Sequence, residues 1–378
     1  MASPGTIAII GFGGSEIVRR SDRGITAFAL DAAVAALADA GVTRDEIDGY
    51  VGAPWAPAAD AIGVDGADEL SYRTLLPALG IQHARYAHDL HKGFATDMVA
   101  AAAAALRAGE CRYVLGVRAM ANFMPAAGDA TAVPTHAYGN EQFSLPYGFH
   151  IAGARFATRL RRYMAEHGAT REDLYETVAL FRRNARLNPF AIWRDKDLTR
   201  EQYLAAPMIA SPHCLFDCDM PVFGAAAFVM ARADDVPAAA TPAWVSGWAG
   251  QYRPQDVFER SGLAPADVSA CQLYDGFTSM TYEWLEGFGF VAPGQAWRFI
   301  RDGHAAPDGR LPLNTFGGSL GEGRLHGIGH LREAYLQVAG KAGPRQLKQA
   351  DHCLVQIGPY DLSSFVMLSA EPRPVANP

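Results

Sequence analysis

No apolar run in this 378-residue chain reaches the roughly 20 residues a membrane-spanning helix needs, and no run of basic residues stands out. With a net charge of −7 and a pI near 5.9, the composition gives no reason to expect nucleic acid as a partner. The five cysteines (Cys111, Cys214, Cys218, Cys271, Cys353) form no even framework, so free thiols and a cytoplasmic location are the expectation. The segment Met1 to Gly5 has no basic region, so no signal peptide is expected. The apolar run Thr6 to Ile10 ends in Gly11-Phe12-Gly13-Gly14, but the spacing is not G-x-G-x-x-G. It is read as a first strand and turn, not a nucleotide site. Also missing are a serine nucleophile elbow, a phosphate loop and a paired-carboxylate glycosidase signature. His213-Cys214 with Cys218 and Asp219 lacks a second ligand pair, so buried thiols are expected there and no metal.

What the chain does have is 49% hydrophobic and 19% charged residues, the make-up of a folded core. One stretch organises the rest: Asn314 to His330, NTFGGSLGEGRLHGIGH. Its neighbours are Tyr274-Asp275-Gly276-Phe277 upstream and Gly358-Pro359-Tyr360 downstream. So much glycine disfavours regular structure and suits tight turns or close approach to a ligand. The residues that follow, His330 to Val338, predict a helix with Leu331, Ala334, Tyr335 and Val338 on one face. A glycine loop feeding a helix offers backbone N–H groups and a positive dipole end, suited to an oxyanion, a phosphate or an enolate oxygen.

In chain order, a helix is expected from about Thr26 to Ala40, closed by Gly41. Thr43 and Glu46 fit a capping box, and Ile47 to Gly52 reads as a strand. Ala40 to Asp48 can be laid on Ser261 to Ser269, each following a helix and leading into a strand. The helix–strand pair Gly93 to Ala108 and Tyr113 to Val117 corresponds more weakly to Gly329 to Val338 and Cys353 to Ile357. Two matches in one order predict two related α/β halves, residues 1–235 and 236–378, joined by the Ala-Pro-rich Val236 to Pro242. The first half carries a loop insertion of about 119–213. Within it Ala119 to Gly148 reads as a binding loop or partner surface, and Arg171 to Arg186 as a helix. Arg182, Arg183 and Arg186 are expected to form a solvated face. The alternating elements point to a mainly parallel sheet, covered on both sides, in each half.

The order of LRAGECRYVLGV, DCDMPVFGAAAFVMA, YDGFT, NTFGG and IGPYDLSSFVML resembles the thiolase-like proteins of the sterol-carrier type along essentially the whole chain. The resemblance implies a five-layered αβαβα fold of two similar halves, an acyl-CoA substrate and a homodimer. A thiolase attacks its substrate with a cysteine at a helix N-terminus. Matching that motif to Phe94-Ala95-Thr96-Asp97 puts Phe94 in its place. The second cysteine aligns near Ile357 or Gly358, and the G-H-P histidine falls on Arg324, followed by Leu325. Tyr274 stands at the histidine of the HDCF motif, and Tyr360 lies close to the second cysteine. This combination is similar to the steroid side-chain-cleaving aldolases, a cysteine-free branch. The likeness implies cleavage of a β-hydroxyacyl-CoA to a ketone and a shorter acyl-CoA, with a small OB-fold, often zinc-ribbon, partner completing a heterotetramer. No cofactor is implied, because CoA is part of the substrate.

Such a retro-aldol reaction needs a base, an acid and oxyanion donors, with no covalent nucleophile. Tyr274 and Tyr360 are expected to divide acid and base roles in an order the sequence leaves open. Arg324 and His326 are candidates to support a tyrosinate, and the backbones of Gly317 and Gly318 to hold the enolate. Each tyrosine alone could be a packed aromatic whose hydroxyl finds a partner, but the coincidence of both with the family's active-site motifs favours function. Asp275 either braces the loop or touches substrate. His326 is open between a structural and a catalytic hydrogen bond, Asn314 is expected to be mainly structural, and Phe94 to close the old nucleophile pocket. Two alternatives stand beside the lyase: a non-catalytic acyl-CoA or lipid binder, and an acyltransferase with another nucleophile.

Overall fold

The computed structural model describes residues 6–53, 70–90, 93–121, 136–149, 151–250, 253–359, 362–373 and 375. The chain begins with β1 (Ile7–Gly14), α1 (Ile25–Ala40), β2 (Gly49–Gly52), α2 (Tyr72–Leu79), β3 (Tyr86–Asp89), α3 (Ala95–Ala108) and β4 (Tyr113–Ala121). An excursion follows, made of α4 (Ala152–His167), α5 (Arg171–Ala185), α6 (Arg200–Leu204) and the small ribbon of β5 (Met208–Ala210) and β6 (His213–Cys214). The chain returns to the sheet as β7 (Phe223–Arg232). After it come β8 (Ala243–Gly250), α7 (Asp256–Ser261), β9 (Ala270–Leu273), α8 (Thr278–Gly287) and α9 (Ala296–Arg301). The last elements are α10 (Gly318–Glu322), α11 (Ile328–Val338), β10 (His352–Ile357) and β11 (Ser364–Ser369).

The strands run in the order β3-β2-β4-β7-β1-β8-β11-β10-β9. Only two residue pairs, Ala8 with Trp244 and Ile9 with Ala243, join β1 to β8. Outward from that seam the two sides repeat one pattern. Two antiparallel neighbours (β7 then β4, β11 then β10) are followed by a parallel one, β2 or β9. The first side adds β3 at its edge.

Side-chain alternation divides the core into three. Ala225, Ala227, Val229 and Ala231 of β7 face α1 and α2, whereas Ala226, Phe228 and Met230 face a central layer holding α3 and α11. On the other side, Val355, Val366 and Leu368 face that central layer, while Leu354, Phe365 and Met367 pack under α5, α7, α8 and α9. The result is αβαβα, five layers. Strands covered on both faces carry continuous apolar runs, which is why β7 and β10 show no polar alternation.

The glycines of β1 serve packing. A β-carbon on Gly11 would lie 2.4 Å from the Ala40 nitrogen, and one on Gly13 2.3 Å from the Ala36 nitrogen. The Ala-rich α1 thus sits directly on the strand, leaving no room for a nucleotide.

Three expectations need correction. The sheet is mixed, not mainly parallel: β7, β1, β8 and β11 pair only in antiparallel fashion, and parallel pairing is confined to β2 with β3 and β4, and β9 with β10. The insertion begins later than 119, since β4 runs on to Ala121, and much of its described part is helical. Arg182 is not solvated: it is 6% exposed, with its guanidinium 3.8 Å from the centre of the Trp193 ring. Exposure of its neighbours Arg183 and Arg186 fits the charged face, but helical rotation carries Arg182 inward.

Candidate active site

β9 ends at Leu273, and the next residue continues its ladder with β10: the Tyr274 N–H donates to the Gln356 carbonyl at 3.0 Å. Asn314 fastens the same point from the other side. Its Oδ1 accepts from the Leu273 N–H and its Nδ2 donates to the Leu273 carbonyl, both at 2.8 Å. Asn314 adopts φ 44°, a left-handed conformation that asparagine tolerates better than most residues. Its own carbonyl is held by Asn184 of α5. Asn314 therefore sets the end of the strand from which Tyr274 projects.

Asp275 is fully buried and accepts three hydrogen bonds: from the N–H of Ser319 (2.7 Å) and of Leu320 (3.1 Å), and from His330 (2.9 Å). The anion held where the glycine loop enters α10 is thus the protein's own carboxylate. Gly318 lies so close that a β-carbon there would meet Asp275 Oδ2 at 2.1 Å. The Gly317 N–H already donates to the Asn314 carbonyl at 2.8 Å. Of the two amides expected to hold the enolate, that of Gly317 is therefore engaged within the protein, and the neighbouring amides of Ser319 and Leu320 are committed to Asp275.

Tyr274 is 9% exposed, its ring 5.7 Å from that of His330. Its hydroxyl lies 3.5 Å from Asp219 Oδ2, the long edge of hydrogen-bond range. Asp219 is placed by backbone pairing: its N–H donates to the Gly276 carbonyl, and the next residue's carbonyl accepts from the Arg324 N–H. Arg324 Nε donates to Asp219 Oδ1 at 2.7 Å. Burial, and secondarily the Asp219 carboxylate, pushes the Tyr274 phenol well above its ordinary pKa, against the smaller pull of Arg324 and Arg118. Burial thus favours the protonated phenol at Tyr274, where the sequence had left the acid and base roles open between Tyr274 and Tyr360. Burial likewise raises Asp219, with Arg324 opposing it.

His326, at φ 48°, takes a contact from the far side. Arg118 of β4 approaches its Nδ1 at 3.2 Å. Burial first, then the charges of Arg118 and Arg324, hold the imidazole far below its ordinary pKa. It is neutral at physiological pH.

An open cavity of about 800 Å³ has Leu145, Phe149, Arg155, Phe156, Pro359 and Leu362 in its wall; Tyr274, Asp219, Arg324 and His326 are not among its lining residues. Phe156 stacks on Phe277 at 4.9 Å, three residues beyond Tyr274. The volume falls in the range of sites that enclose sizeable organic ligands. Tyr360 lies outside the described residues.

Comparison with known proteins gives consistent results. Residues 245–367 match the family model "Thiolase C-terminal domain-like". A 17-hydroxy-3-oxo-4-pregnene-20-carboxyl-CoA lyase of Mycobacterium tuberculosis is 31% identical, over 94% of this chain and 96% of its own. A steroid side-chain-cleaving aldolase of Thermomonospora curvata is also 31% identical, over 97% of this chain and 99% of its own. The chain belongs to the thiolase-like family of steroid side-chain-cleaving aldolases. Among solved structures, an Ltp2-ChsH2(DUF35) aldolase superposes with a TM-score of 0.83 at 30% identity, covering 97% of this chain and 98% of its own.

In this member of the aldolase family no thiol replaces the missing nucleophile. Phe94 is the residue before α3, its N–H bonded to Asp97 at 2.8 Å. Burial raises the pKa of all five cysteines, Cys218 beside Asp219 included, so none is a thiolate near neutral pH. Among the described residues, no three His, Cys, Asp or Glu side chains are grouped to hold a metal, and no helix is long and apolar enough to cross a membrane.

The sequence reading missed Arg118, Gln356 and the place of Asp219 in the tyrosine array. Arg118 did leave a signal: a lone arginine amid apolar VLGVRAMA, on the inward face shared with Val114 and Met120.

Proposed function

We propose that this aldolase-family chain cleaves a β-hydroxyacyl-CoA, specifically a steroid side-chain CoA thioester, to a ketone and a shorter acyl-CoA. The carrying observation is a buried Tyr274 whose hydroxyl faces Asp219, itself paired with Arg324, with Phe94 where a thiol would be needed. The relatives' activities support the same reading.

In the reaction, a base takes the proton of the β-hydroxyl. The carbon–carbon bond breaks, its electron pair passes into the thioester enolate, and the hydroxyl-bearing carbon leaves as the ketone. An acid then protonates the α-carbon of the enolate. Tyr274, kept protonated by burial and Asp219, takes the acid role. Tyr360, adjoining cavity-lining Pro359 in the chain, takes the base role. The ion pair with Arg324 fixes Asp219 beside the phenol. A homodimer and a small OB-fold or zinc-ribbon partner complete the proposal; the DUF35-containing structure among the relatives supports the partner.

The test is incubation of the purified chain, alone and with a DUF35-type partner, with a 17-hydroxysteroid side-chain CoA thioester. Ketone release supports the lyase. Saturable binding without product would mean a binder, and acyl exchange onto another acceptor a transferase.

A further inference from the structure

The open cavity of about 800 Å³ is walled by two segments far apart in the chain. One is residues 141–159, which lead into α4; the other is Pro359 with Leu362, between β10 and β11. The polar side chains of the wall are engaged within the protein. Arg155 pairs with Glu141 at 2.6 Å, Arg159 with Glu283 at 3.5 Å, and the Thr158 hydroxyl donates to the Ala154 carbonyl at 3.0 Å. What remains to meet an occupant is apolar. Leu145, Phe149, Ile151 and Leu362 belong to none of the three core clusters, and Leu362 is 54% exposed. Core packing therefore does not account for these side chains. The wall also leads to the reacting residues by direct contact. Phe156 stacks on Phe277 at 4.9 Å, and Gly276 packs so closely on the Tyr274 ring that a β-carbon there would lie 3.0 Å from it. The Gly276 carbonyl in turn accepts from the Asp219 N–H. In the other segment, the Leu362 carbonyl would meet a β-carbon on Gly358 at 2.6 Å, and the same glycine abuts Phe94.

We infer that this cavity is the subsite for the fused-ring part of the substrate, and that Leu145, Phe149 and Leu362 set which ring systems it accepts. The inference rests on the retro-aldol reading above and adds which end of the thioester lies here. The two ends differ in chemistry: the ring end is rigid and apolar, whereas the CoA end carries phosphates. A phosphate is held by cations free to pair with it, and both arginines of this wall are already paired with glutamates. A rigid ring system gains instead from removing apolar surface from water, and it loses little internal freedom on binding. The volume lies within the roughly 300–1,000 Å³ of cavities that enclose ligands of such size. With the rings against Phe156, the side chain of the substrate leaves by the Phe277 edge of the cavity, the edge that continues through Gly276 to Tyr274.

The test measures binding apart from cleavage. A free 17-ketosteroid, the ring-bearing product of that cleavage, and free CoA are titrated separately into the purified chain by calorimetry. The wild type binds the ketosteroid saturably. Ala152→Trp fills the cavity from an exposed position of its wall, and Leu362→Asp places a charge in the apolar surface. Each weakens ketosteroid binding by about tenfold or more and weakens CoA binding less. With the CoA thioester as substrate, each raises KM by a similar factor with a smaller change in kcat. Both residues are exposed and come from the two different segments, so a folding defect in one variant leaves the other to decide. The inference is overturned if the wild type shows no saturable ketosteroid binding, if the folded variants keep wild-type ketosteroid affinity, or if CoA affinity suffers more than ketosteroid affinity. Loss of association with a DUF35-type partner while ketosteroid affinity stays intact would also overturn it, by giving the wall to the partner. A wild type that binds the ketosteroid but releases no ketone from the thioester would sink the cleavage reading and leave the ring subsite standing.

Discussion

The ring of Phe94 lies against Gly358: a β-carbon on Gly358 would come within 2.7 Å of Phe94 Cε2. The two positions that the sequence motifs match to thiolase cysteines, Phe94 and the Ile357–Gly358 step, therefore meet here as an aromatic edge on bare backbone. Phe94→Cys introduces a thiol without a base to activate it, because Asp97 is bonded at that N-cap and Arg324 is paired with Asp219. The variant should show no CoA-dependent thiolysis and lose roughly 3 kcal/mol from the emptied ring volume. A thiolysis assay and urea denaturation check both; acyl exchange above background would overturn the account.

Tyr274→Phe removes the acid but little packing, since the hydroxyl's contact with Asp219 is long. We expect kcat to fall by about 10²–10⁴-fold with the melting temperature almost unchanged. Asp219→Asn behaves differently, because it strips the buried partner of Arg324 and should cost about 3 kcal/mol. Steady-state kinetics and calorimetry on the two variants separate chemistry from stability.

Gly318→Ala tests whether Asp275 is the loop's own anion. The added methyl collides with the Asp275 carboxylate at a residue of φ 63°. Asp275→Asn, in turn, replaces one acceptor oxygen facing two backbone donors and His330. Each substitution should lower stability by about 2–3 kcal/mol, read from denaturant midpoints. Wild-type stability in Asp275→Asn would show that the carboxylate is not what holds the loop.

Acid should weaken the fold before it protonates ordinary carboxylates. His326 has its pKa depressed in the fold, chiefly by burial, so below the unfolded value near 6.5 the unfolded chain binds more protons. This contribution to stability is complete above about pH 6.5 and is lost on acidification, at up to about 1.4 kcal/mol per pH unit. His213, also lowered by burial, acts in the same direction. Asp97 and Asp219, raised by burial, act oppositely, in a window that opens upward from the ordinary carboxylate value. Denaturation series at about pH 7.5, 6.5 and 5.5 should show the decline, and His326→Asn should flatten it.

Local chemistry in the sequence determined a good deal. Thr43 and Glu46 form their capping box, Gly41 closes α1 in the left-handed conformation, and α11 buries the face of Leu331, Ala334, Tyr335 and Val338. These features depend on neighbours within a turn or two, so residue spacing is enough to reveal them. The glycine stretch likewise marked Tyr274, Asp275, Asn314, Arg324 and His326 as one region. What each does was decided by partners far along the chain. Arg118 reaches His326 across 208 positions, and Arg324 reaches Asp219 across 105. Only the stacking of five layers brings such groups together and strips them of water. That desolvation keeps Tyr274 protonated and His326 neutral, and residue order carries no direct record of it.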